Sequence, residues 1–269
     1  MNLVSAELLK LRTTSLWWIF ALLLVPLYGV ALAFNWLAAR AIGALGPEAE
    51  NISFSSFSVE RIVGNLYTSG QFGGVLLVLL LSAILVTNEF FHLTATATFL
   101  TTPRRELVIL AKMVVSVLIA VLVWLLTTAL NLVLAPVALT STVGDTHLGE
   151  PYVWQAIGLN LLVHVLWALV GVGCGVLIRS QIGATITLTV LYVVGTQILT
   201  AVFALLANLV DDSILRMRII IPTLASDLLV SGPQSADDLP RWVGAAVLLA
   251  YAALAGALGT LITRQRDIA

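Results

Sequence analysis

Six long apolar runs, each without an Asp, Glu, Lys or Arg, alternate with shorter polar connections: residues 13 to 39, 62 to 88, 113 to 144, 151 to 178, 180 to 210 and 242 to 263. A helix rises about 1.5 Å per residue, so about 20 apolar residues cross roughly 30 Å of hydrocarbon. Every run reaches that length. The pattern predicts an all-α membrane protein, a single transmembrane domain over 1–269, with spans at about 16–38, 70–88, 109–136, 154–178, 183–207 and 242–263. Pro26 removes a backbone donor inside the first span and predicts a kink there. Lys10 and Arg12 before that run, and Ala31-Leu32-Ala33 within it, mimic a signal peptide. The run exceeds the apolar core of about 7–15 residues in such peptides, so it is expected to stay as a helix.

The connections carry their own patterns. In residues 1 to 15, Leu3, Leu8 and Leu11 fall near one helical face, with Leu16 following, and Glu7, Lys10 and Arg12 on the other. That spacing predicts a short helix lying in the membrane interface, or else a charged flank of the first span. Residues 40 to 65 read as a polar external segment. Residues 209 to 241 mix Ile219, Ile220, Leu228 and Leu229 with Asp211, Asp212, Arg216 and Arg218. They are too apolar for a free loop and too charged to span, which predicts one or two amphipathic or re-entrant helices, broken at Pro222 and stopped at Ser231-Gly232-Pro233.

Composition excludes a soluble fold: the chain is 60% hydrophobic and 10% charged, against about 45–50% and about 25% in soluble domains. Its net charge of −1, without a basic tail, speaks against nucleic-acid binding. Lys10 and Lys112 are the chain's two lysines, and neither follows a Gly-x-x-x-x-Gly loop, so ATP hydrolysis of the P-loop kind must come from another chain. Cys174 is the single cysteine, which excludes an intrachain disulfide. With the N-terminus placed in the cytoplasm, that side receives Lys10, Arg12, Arg104, Arg105, Lys112, Arg179, Arg264 and Arg266. The opposite side receives Arg40, Arg61, Arg216, Arg218 and Arg241 with most of the carboxylates. Since cytoplasmic loops retain Lys and Arg, both termini are expected inside. Trp17, Trp18, Trp36, Trp154 and Trp242 fall at span ends, where amphipathic rings prefer the headgroup region.

The most informative segment runs from 88 to 112. Glu89 and His92 stand at the end of span two, a Thr-rich stretch with Phe99 follows, and Pro103 stops it before Arg104, Arg105 and Glu106 open the next helix. Threonines beside Phe90, Phe91 and Phe99 predict a short helix docked on a partner rather than a solvated linker. This segment resembles the cytoplasmic signature of permease subunits of ABC type 2 exporters, with matches at Glu89, His92, Thr94, Thr98, Phe99, Leu100, Thr102, Pro103, Arg104, Arg105 and Lys112. The Ala6-Glu7-Leu8-Leu9-Lys10-Leu11-Arg12 start, the six spans and the partly apolar segment before the last span extend the likeness over the whole chain. One departure is Leu93, where many relatives carry glycine.

The resemblance implies a mechanism. Two permeases, a second copy or a homologous chain, pair around a pathway, while two ATPase subunits carrying ATP and Mg dock beneath them. No cofactor is implied in this chain. A short coupling helix between spans two and three sits in a groove on the ATPase, with Glu89, His92, Thr94, Thr98, Pro103, Arg104, Arg105 and Lys112 as the coupling residues. Arg104, Arg105 and Lys112 are then expected to pair with acidic groups on the partner, or else to anchor lipid headgroups. Glu89 is expected to link the turn to the N-terminal helix, or else to stand solvated at a helix end. The family further implies the plasma (inner) membrane of a prokaryote and a lipophilic cargo such as a drug, antibiotic or lipid.

Pathway residues are read from stripes. Thr185, Thr189, Tyr192, Thr196 and Thr200 share a face of span five with Gln197 beside them, Asn160 and His164 share a face of span four, and Thr127 and Asn131 a face of span three. Each stripe either lines a pathway or makes hydrogen bonds between and within helices. Gly171 with Gly175, and Gly256 with Gly259, are expected to permit close helix packing. His92, His147 and His164 fall in separate regions, so no metal site is expected, and no catalytic motif occurs. A membrane sensor or immunity protein acting by partner binding is the competing reading, and an intramembrane enzyme the third.

Overall fold

The structure is a computed structural model that describes residues 3–45, 59–94, 105–142, 144–233 and 239–265, with side chains described except at 42–45, 105 and 260–265. Every regular element among them is a helix. Six stretches are long and apolar enough to cross a membrane, as the apolar runs require. In chain order these are α1 (Leu3–Thr13), α2 (Leu16–Leu45), α3 (Val59–Tyr67), α4 (Gln71–Phe91), α5 (Arg105–Thr140) and α6 (Pro151–Leu177). After them come α7 (Gln181–Val190), a π turn at Leu191–Gly195, α8 (Thr196–Leu209), α9 (Ile214–Met217), α10 (Pro222–Ser231) and α11 (Arg241–Gln265).

α1 is a helix of its own, separated from the first span at Thr14–Ser15. Eleven residues are too few for a stable helix in water, so packing must hold it. α2 continues as helix through Pro26. The expected external segment 40 to 65 is partly helical: α3 buries Ile62, Val63 and Leu66, because apolar residues three and four apart form one face toward the bundle. Span two is thus extended backward and interrupted at Thr68–Gly70. Gly70 has φ 85°, and a Cβ there would lie 2.8 Å from the Tyr28 ring, so both the turn and the approach require glycine. Asn131 of α5 satisfies the broken backbone, donating to the carbonyls of Tyr67 and Ser69 at 3.0 Å each and accepting from Tyr28 Oη at 2.9 Å.

The 209–241 connection folds largely as its composition indicates. α9 and a 3₁₀ turn at Arg218–Ile220 precede α10, which starts at Pro222 and ends at Gly232 with φ 81°. Ile221, Ala225, Leu229 and Val230 are buried, so this segment packs on the bundle.

α4 and α6 form the centre. Gly171 and Gly175 of α6 let it press on α4: a Cβ at Gly171 would lie 2.5 Å from the Leu79 carbonyl, and one at Gly175 2.7 Å from that of Ala83. A Cβ at Gly259 would lie 3.2 Å from Val176 Cβ, whereas one at Gly256 would lie 3.9 Å from the Met113 methyl. Gly171→Val is expected to lower stability by about 1–3 kcal/mol, because a backbone carbonyl cannot move aside. Unfolding in detergent measures it, and a loss no larger than that of Gly256→Ala would show that the contact is not tight. The five tryptophans at span ends are all exposed. The α2 and 181–209 spans present most of their apolar surface outward, as a lipid-solvated bundle does.

Candidate functional site

Both lysines of the chain meet two glutamates where α1, the last turn of α4 and the first turns of α5 come together. On α1, Glu7 and Lys10 are three residues apart and therefore share a face, with Lys10 Nζ 2.6 Å from Glu7 Oε1. Lys10 Nζ also lies 2.9 Å from Glu89 Oε1 on α4. Lys112 on α5 reaches Glu7 Oε2 at 2.7 Å and Glu89 Oε1 at 3.0 Å, and donates to the Leu85 carbonyl at 2.9 Å. Glu7, Glu89 and Lys112 are 3%, 5% and 3% exposed, while the Lys10 side chain keeps 41% of its surface. Two ammoniums balance two carboxylates, so the buried group is neutral as a whole. Val4 and Leu11 complete the docking by packing on the cluster around Leu81, Leu85 and Val115.

Burial alone pushes the Glu7 carboxyl up, but Lys112 and Lys10 outweigh it and hold the group below its ordinary 4.5. Burial pulls the Lys10 ammonium down, and the bonds to Glu7 and Glu89 more than reverse this, raising it above 10.5. Glu7 therefore stabilises the docked helix above its unfolded value and loses that effect as pH falls through its lower folded value. Lys10 stabilises it below 10.5 and loses the effect as pH rises beyond. Hydrogen exchange of residues 3–13 should accordingly be flat, after correction for intrinsic rate, from about pH 5 to about pH 10. A transition near neutrality would contradict this arrangement.

α4 ends directly beside the cluster. His92 donates its backbone N–H to Asn88, Leu93 to Phe90 at 3.3 Å and Thr94 to Glu89 at 2.9 Å. These bonds make a Schellman cap whose left-handed position is Leu93, with φ 56°. A leucine in this left-handed conformation is strained by about 1–2 kcal/mol. Leu93 is also 87% exposed. Leu93→Gly is expected to raise the melting temperature, and an unchanged or lower value would show that no strain resides there. A cleft of about 230 Å³ opens between α1 and this cap, lined by Glu7, Lys10, Asn88, Glu89, His92 and Thr94 among others. The His92 ring stands edge-on to Phe91 at 5.0 Å.

The residues expected to couple thus divide. Glu89, His92 and Thr94 gather at the cap, and Lys112 points inward to the chain's own carboxylates rather than outward. Thr98, Pro103 and Arg104 lie outside the described residues, as does the expected coupling helix, and Arg105 is described only as the first residue of α5. Glu7 is the residue that sequence reasoning missed. It falls on the polar face of α1, and the missed signal is that Lys112 needs a buried counter-charge once it sits in an apolar bundle.

Most of the pathway candidates are engaged in hydrogen bonds or packing within the bundle. Asn131 is engaged in the α3–α4 break. His164 is fully buried, with Nδ1 2.8 Å from the Asn160 carbonyl and Nε2 facing Gly74, while the Asn160 side-chain oxygen has no partner among the described residues. Thr185 bonds to carbonyls of its own helix. Tyr192 donates to the Phe72 carbonyl at 3.0 Å and packs on Trp167. Thr196 donates to the Tyr192 carbonyl and pairs with Thr223, while Thr189 is half-buried and Gln197 exposed. The π turn at Leu191–Gly195 sits in the middle of this stripe. No protein-family model and no curated protein matches this chain, so its functional reading rests on its own residues and geometry.

Proposed function

We propose that this chain is the permease subunit of an ATP-driven exporter of the ABC type 2 kind. The observation that carries the reading is the four-charge cluster, because it fastens α1 to both helices that flank the 93–105 segment. A push on that segment reaches spans two and three and the N-terminal helix as one body. In this reading the α1 end is cytoplasmic and both termini lie there, consistent with Lys10, Arg12, Arg104, Arg105 and Lys112 being on that side. The segment from Leu93 to Arg104 docks in a groove on an ATPase, led by the exposed, strained Leu93 and by Arg104 and Arg105. Lys112 acts from inside by positioning Glu7 and Glu89.

Two such permeases and two ATPases make the machine, with ATP and Mg held by the ATPases. The outward apolar faces of α2 and of the 181–209 span are available to lipid or to the second permease. The cargo class is lipophilic, a drug, antibiotic or lipid, and the membrane is a prokaryotic plasma membrane. Affinity purification of the full chain from its native membranes in mild detergent tests this. The expected result is an equimolar P-loop ATPase that hydrolyses MgATP and is lost in Arg104→Glu/Arg105→Glu. Purification without any nucleotide-hydrolysing chain would overturn the proposal.

A further inference from the structure

The opposite end of the bundle holds a second cleft, of about 470 Å³, between α3, the 214–220 turn and α10. Its polar lining is Arg61, Arg216, Arg218 and Asp227, and its apolar lining includes Leu224 and Leu228. Among the described residues of the lining, three guanidiniums stand against one carboxylate, which makes this wall of the cleft cationic. Asp227 cannot neutralise it, because Oδ2 is engaged by Arg61 at 3.0 Å and Oδ1 accepts from Ser231 at 3.2 Å. Asp211, which accepts from the Ser213 N–H at 2.7 Å, and Asp212, the nearest acidic residue in sequence to Arg216, are not part of the described lining. Arg216 and Arg218 have no carboxylate partner among the described residues.

We infer that this cleft binds a phosphate group carried on an apolar tail. The guanidinium fork matches the oxygens of a phosphate. A site with leucines on its other wall favours an amphiphile over a small hydrophilic anion. Arg216 and Arg218 provide the charge, while Arg61, held by Asp227, fixes the back of the cleft. The inference requires only that the chain lies in a membrane and is independent of any ATPase.

The shared chemistry, a phosphate ester, can come from an anionic lipid or from a soluble phosphate compound, and one experiment separates them. The full chain in neutral detergent is titrated with dioleoylphosphatidylglycerol, dioleoylphosphatidylcholine or glycerol 1-phosphate and observed by native mass spectrometry. The expected result is one saturable phosphatidylglycerol per chain, bound ahead of phosphatidylcholine. Its affinity should fall about tenfold or more in Arg216→Gln/Arg218→Gln and stay unchanged in Arg12→Gln at the other end. Both arginines are exposed, so circular dichroism should show the double variant folded. Displacement by glycerol 1-phosphate assigns the site to the phosphate alone, and failure to displace assigns it to the lipid. Equal binding of the two lipids, or equal phosphatidylglycerol binding by the double variant, would overturn the inference.

Discussion

Lys112→Met is expected to lower the stability of the chain by about 3–5 kcal/mol and to free α1, the largest effect of any single substitution at the charge cluster. Among the described residues, its ammonium is the only group that contacts Glu7, Glu89 and the Leu85 carbonyl together. Removing it leaves two buried carboxylates sharing Lys10, which is itself open to solvent. The variant should show early unfolding in detergent and rapid hydrogen exchange over residues 3–13. Glu7→Gln added to Lys112→Met should recover part of the loss, since it removes one of the stranded charges. Adding Arg12→Gln instead should recover nothing. If Lys112→Met leaves exchange over residues 3–13 unchanged, α1 is held by Val4 and Leu11 alone and the cluster is incidental.

Asn131→Leu comes second, with an expected loss of about 2–4 kcal/mol. It strips the donors from the Tyr67 and Ser69 carbonyls and the acceptor from Tyr28, all within an apolar bundle where a stranded polar group costs about 1–3 kcal/mol. Tyr28→Phe, which removes one hydroxyl and leaves Asn131 its two carbonyls, should lose only about 1 kcal/mol. Asn131→Asp keeps the acceptor and forfeits both donors, so it should behave like the leucine variant. Were the aspartate variant to match Tyr28→Phe in unfolding, the α3–α4 break would not depend on Asn131.

The sequence displays the spans because hydrocarbon imposes one length and one composition on all of them. Helices at Leu16–Leu45, Arg105–Thr140, Pro151–Leu177 and Arg241–Gln265 fall where charge-free runs fall, extended by a few residues at polar ends. Pro222 and Gly232 likewise bound α10 because proline suits a first turn and glycine a left-handed stop. Two features were illegible for a common reason. The interruption at Thr68–Gly70 and the burial of Glu7 are both decided by partners more than 60 residues away, Asn131 and Lys112, and no local pattern encodes such a pairing. The stripe on span five was legible as a stripe, and Thr185, Thr196 and Thr200 bond the carbonyls one turn back in their own helix. Of the candidate site, Glu89 was legible as a link to the N-terminal helix. Lys112 was not legible as its inner counterpart, since sequence alone cannot tell an ammonium facing a partner from one facing its own chain.

The central claim is that the segment following Glu89 is where an ATPase acts. A photoreactive p-benzoylphenylalanine at Thr98 of the full chain, irradiated in native membranes, tests it directly, with the same probe at Ser141 on the opposite end as control. The account predicts a covalent product at Thr98, and none at Ser141, whose second component is a P-loop ATP-hydrolysing chain. A Thr98 probe that labels only lipid, or a P-loop chain captured equally from Ser141, would contradict it.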